Sequence, residues 1–96
     1  MELLERYNKL KALVIERKKE FEALMNFVES ETAYLVAPAS TKFHLCREQG
    51  LLEHSVNVAE TILKLKETLA PTISTESCVI VGLLHDLGKA GMPGQP

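Results

Sequence analysis

Apolar residues recur at Leu3, Tyr7, Leu10, Val14, Phe21, Leu24 and Val28, in alternating steps of four and three broken only at Arg17. That spacing returns to one face of a helix, and residues 2–33 contain neither Pro nor Gly. The pattern predicts a helical region over residues 1–35, either one long helix or two with a break near Glu16–Lys19. The cluster Glu16-Arg17-Lys18-Lys19-Glu20 reads as a solvated face. A coiled-coil seam is the competing reading of the stripe. An Arg within it and a length of only about four heptads count against that reading.

Residues 36–50 break the periodicity. Pro38, Ser40, Thr41 and Gly50 punctuate a stretch that reads as a loop, and a loop of that length is often functional. From Leu51 to Leu69 the helical period returns. Leu52, Val56, Ala59 and Leu63 make one apolar row, and Val58, Ile62, Leu65 and Leu69 the adjacent one. Together they predict a broad buried face, bordered by the polar row His54, Asn57, Thr61 and Lys64. Pro71 follows where the helix is expected to end. Ser74 or Thr75 can cap a further helix, with Glu76 favourably placed in its first turn. The run Cys78–Leu84 is apolar on every side and fits a buried strand or a buried helix by period alone. The cap before it and the helical context favour a central buried helix, with Gly88 as its C-terminal stop.

The chain of 96 residues suits one small domain. With 46% apolar and 25% charged residues it has the balance of a soluble globular protein. A formal charge of −2 gives no electrostatic indication of nucleic-acid binding. The charged N-terminal stretch is neither a signal peptide nor a membrane span. Cys46 and Cys78 form no CxxC pair, so a thiolate zinc site is not indicated. We expect a cytoplasmic protein with reduced thiols, Cys78 being a buried structural one.

The chemistry concentrates in Leu83-Leu84-His85-Asp86-Leu87-Gly88-Lys89. An imidazole and a carboxylate at the buried end of an apolar helix are costly unless paired or metal-bound. The partial negative charge of a helix C-terminus favours a cation there. Gly50-Leu51-Leu52-Glu53-His54-Ser55 supplies a second imidazole beside an apolar face. Packing the two helices can bring His54 to His85 and Asp86. Three such ligands suit a divalent ion and leave coordination positions open, as metal-assisted hydrolysis requires.

The segments GLLEHSVNVAE and VGLLHDLGKAG together resemble the HD superfamily of metal-dependent phosphohydrolases, over roughly residues 37–91. The resemblance implies an all-α, HD-domain-like helical bundle, with residues 36–96 its N-terminal half. It implies His54, His85 and Asp86 as metal ligands and Asp86 as a catalytic group. It also implies a divalent cofactor: Mn, Fe, Ni, Co, Zn or Mg. Lys89 matches a position near the substrate phosphate, with a catalytic or substrate-binding role. STKFHLCREQGLLEHS resembles the HD domains fused to some exoribonucleases, which would put His44 near the metal or the phosphate. The implied partner is a phosphorylated small molecule or nucleotide. No Asp follows Asp86, so the family's last metal ligand is not among these residues. The expectation is a bundle incomplete at its C-terminus, with activity weakened or absent in this piece. The alternatives are a regulatory module that binds nucleotide or metal without turnover, and a helical piece that self-associates through the stripe of residues 3–28.

Overall fold

The computed structural model describes residues 2–36 and 49–87. Their regular structure is helical: α1 (Leu3–Lys11), α2 (Lys18–Glu31), α3 (Gly50–Leu69) and α4 (Thr75–Leu84). The all-α class expected from the sequence is the one observed among the described residues. Gly88, expected to stop the last helix, lies outside the described residues.

The N-terminal stripe forms two helices rather than one, and the reason lies far away in the chain. In an unbroken helix the N–H groups of Glu16 and Arg17 would bond to carbonyls one turn back. Here both donate to the Glu76 carboxylate, each at 3.1 Å, and Arg17 Nε adds a third bond at 3.1 Å. Arg17 is the N-cap position of α2 and supplies no side-chain cap of its own. Glu76 therefore caps α2 from the first turn of α4, satisfying donors that every helix start leaves orphaned. The cluster at residues 16–20 is thus not simply a solvated face, since Glu16 and Arg17 are anchored to a buried carboxylate. The stripe differs at one position within α2. α2 buries Phe21, Met25 and Val28, while Leu24, expected in the seam, is 43% exposed.

α3 and α4 run antiparallel as a helical hairpin, joined through residues 70–74. Ser74 caps α4 as expected, its Oγ accepting from the Ser77 N–H at 2.9 Å. The two helices approach almost backbone to backbone. A Cβ placed on Gly82 would lie 2.5 Å from Ala59 Cα and 2.6 Å from its Cβ, so glycine is what permits this contact.

Tyr7 and Leu10 from α1, Phe21, Met25 and Val28 from α2, and Leu51, Leu52, Val56, Ala59, Val79 and Leu83 from the hairpin form one continuous apolar cluster. Two expectations about burial need correction. Leu65 and Leu69, in the second row of α3, are 52% and 75% exposed, whereas Leu52, Val56 and Ala59 of the first row are fully buried. The apolar run of α4 is not buried all round either, as Val81 is 58% exposed. Cys78 is buried with a free thiol, as expected of a packing residue.

Candidate metal centre

The hairpin sets the site. His54 stands near the N-terminus of α3, and His85 and Asp86 at the point where α4 ends. In an antiparallel pair those two ends are neighbours, so residues 31 apart in sequence meet in space. His54 Nε2 and His85 Nε2 are 3.4 Å apart. Asp86 Oδ2 lies 3.3 Å from the first and 3.1 Å from the second. The imidazole planes are tilted by 53° rather than stacked, with ring centroids 5.2 Å apart. Both rings point a nitrogen at the same carboxylate oxygen.

His85 Nδ1 lies 2.8 Å from the Gly82 carbonyl oxygen. A carbonyl only accepts, so Nδ1 carries the proton and Nε2 of the neutral ring presents its lone pair to the cluster. A backbone carbonyl holding the outer nitrogen is the usual way a metal-binding histidine is oriented.

The donor set fits a small divalent ion. Bonds of about 2.0–2.1 Å put neighbouring ligand atoms roughly 3.0 Å apart at octahedral angles and 3.4 Å apart at tetrahedral ones. The three observed spacings, 3.1, 3.3 and 3.4 Å, fall within that interval. Two imidazoles and one carboxylate suit borderline ions such as Zn, Mn, Fe, Co or Ni. Among the described residues these are the side chains that form a metal-competent group. All three remain partly exposed to solvent. A ligand arriving from outside can therefore reach them.

Two residues of the sequence-based set, His44 and Lys89, lie outside the described residues. The structure adds two groups that sequence reasoning did not single out. One is the Gly82 carbonyl behind His85. The other is Tyr34, fully buried, whose hydroxyl donates to the Leu83 carbonyl at 2.6 Å. The signal for Gly82 was present, as the glycine within the apolar run three residues before His85. Nothing in the local sequence marks Tyr34.

Residues 51–95 match the family model of the HD domain. The chain is similar to a dihydroneopterin 2′,3′-cyclic phosphate phosphodiesterase from Methanocaldococcus jannaschii, with 34% identity over 84 residues, covering 76% of this chain and 34% of that protein. The chain thus spans about a third of the length of the curated relative it matches. No solved structure matches it at comparable stringency.

Proposed function

We propose that His54, His85 and Asp86 hold a divalent metal in a phosphohydrolase that cleaves phosphate esters, with cyclic phosphodiesters as the leading substrate class. The observation carrying this reading is the convergence of two imidazole nitrogens and one carboxylate oxygen at 3.1–3.4 Å, within a segment that matches the HD-domain model. The phosphodiesterase relative supports the choice of substrate class.

A bound divalent ion supplies Lewis-acid activation of water and of a phosphoryl oxygen. The chain's own residues do the rest. His85, its Nδ1 proton committed to Gly82, keeps Nε2 available as a ligand. Asp86 contributes a carboxylate that can also orient a water molecule and accept its proton. Lys89, and His44 on the likeness to HD domains fused to exoribonucleases, would face the phosphate and offset charge developing on its oxygens.

The test is hydrolysis of bis(4-nitrophenyl) phosphate and of a 2′,3′-cyclic nucleotide by the purified protein in Mn, Fe, Ni, Co, Zn or Mg. Activity should require added metal. It should fall by about 100-fold or more in His85→Ala and Asp86→Asn. Turnover that survives chelation, or that both variants retain, refutes the assignment.

A further inference from the structure

We propose that Tyr34 is a positioning residue for the His54–His85–Asp86 cluster, its hydroxyl holding the Leu83 carbonyl in the last turn of α4, directly before His85 and Asp86. The inference rests on the metal-site reading above and extends it to a side chain from outside the hairpin.

The argument begins with the last turn of α4. A helix leaves its final carbonyls without intrahelical donors, and inside a protein those carbonyls need partners. At the end of α4, two consecutive ones find side-chain donors. Gly82 O accepts from His85 Nδ1, and Leu83 O accepts from the Tyr34 hydroxyl at 2.6 Å. His85 itself is still helical, its N–H bonded to the Val81 carbonyl at 2.9 Å. With the next two carbonyls, of Gly82 and Leu83, occupied by side chains, the last turn is held where His85 and Asp86 face His54.

Tyr34 is well held for this task. It is completely buried, and its ring rests at 46° against Tyr7, 6.2 Å centroid to centroid. Burial raises its phenol to a pKa of about 12, with Ser55 nearby lowering it and Glu29 raising it, so the hydroxyl keeps its proton and remains a donor. Ser55 adjoins His54 in sequence. Its Oγ is fully buried and finds no partner of normal hydrogen-bond geometry among the described residues. The Tyr34 hydroxyl is thus bonded to the strand of backbone before His85 and lies beside the residue after His54. One phenol sits behind both halves of the cluster. Phe at this position would keep the packing and lose the contact to α4.

The test compares Co²⁺ binding by calorimetry and by the visible absorption of the bound ion in wild type, Tyr34→Phe and Met25→Ala. Met25 is a buried residue of α2 and serves as a control for general destabilisation. Tyr34→Phe should weaken Co²⁺ affinity by about tenfold or more and alter the absorption spectrum, while Met25→Ala lowers Tm and leaves both unchanged. Wild-type binding with an unaltered affinity and spectrum in Tyr34→Phe overturns the inference alone. Failure of the wild type to bind Co²⁺ overturns the metal reading and the inference with it. A measurement independent of folding in the variant uses the wild-type chain labelled with ¹³Cζ-tyrosine, which has two tyrosines. Zn²⁺ should shift the Tyr34 resonance and leave that of Tyr7 in place. An unshifted Tyr34 signal in a Zn²⁺-bound chain argues against the coupling and rejects it.

Discussion

Glu76 brings a negative charge to the junction of α4 with the start of α2, and its protonation state decides whether that junction holds. Burial alone disfavours the charge. The N–H groups of Glu16 and Arg17 and the Arg17 guanidinium more than offset this and keep the pKa below its ordinary value of 4.5. Glu29 behaves alike, with burial opposed by hydrogen bonds from Lys11 and Tyr7, and Glu60 is lowered chiefly by Arg6. A carboxylate whose pKa is lower in the folded state adds stability that is complete above the unfolded pKa. That stability is lost as pH falls through the folded value. Tm should therefore be flat above about pH 5 and drop in more acidic solution. Glu76→Gln should lower Tm at pH 7 and reduce the acid sensitivity, as a thermal-melt series across pH would show. A variant that melts with the wild type at every pH would mean that the cap is dispensable. At this scale the members of the His54–His85–Asp86 cluster were readable from sequence, because they are unusual residue types for the ends of apolar helices. The Glu76 cap was not readable. An acidic residue in a helix first turn has a sufficient local explanation, and only the fold reveals the distant donors.

Each helix was legible from its hydrophobic period, but two helix faces were not. The stripe through α1 and α2 was read in a single register, which put Leu24 inside. Phe21 and Val28 keep their expected places, but between them α2 buries Met25 rather than Leu24. In the run Cys78–Leu84 of α4 the period carries no information because no position is polar. Which side is covered depends on where α3 can approach closest, and Gly82 decides that. Its contact with Ala59 yields a firm expectation for Gly82→Ala. In an open helix this change would be favourable by about 1 kcal/mol. Here the new methyl meets backbone rather than a flexible side chain, and such overpacking costs about 1–3 kcal/mol. Urea denaturation should show a net loss of stability, and a stabilised variant would mean that α3 and α4 separate easily. The same displacement moves the Gly82 carbonyl away from His85, so metal affinity should fall along with stability.

For the molecule as a whole, the proposed metal centre joins the two ends of a hairpin that other helices also grip. An ion bound by the folded chain and not by the unfolded one stabilises by mass action, about 2.7 kcal/mol at 100 times its Kd. Added Co²⁺ or Mn²⁺ should raise Tm, EDTA should reverse the gain, and His54→Ala should abolish it. A wild-type Tm indifferent to these ions would exclude tight binding. No helix of the described residues is long and apolar enough to cross a membrane, and the charge of −2 remains without an electrostatic indication of nucleic acid. One backbone contact has a consequence for how the ends of the described segments are held. The Gln49 N–H donates to the Val36 carbonyl at 3.1 Å, so the segment that carries Tyr34 and the start of α3 are tied backbone to backbone. Tyr34 and His54 thus share an anchor two to five residues from each, and Gln49→Pro, which removes the donor, would loosen both at once.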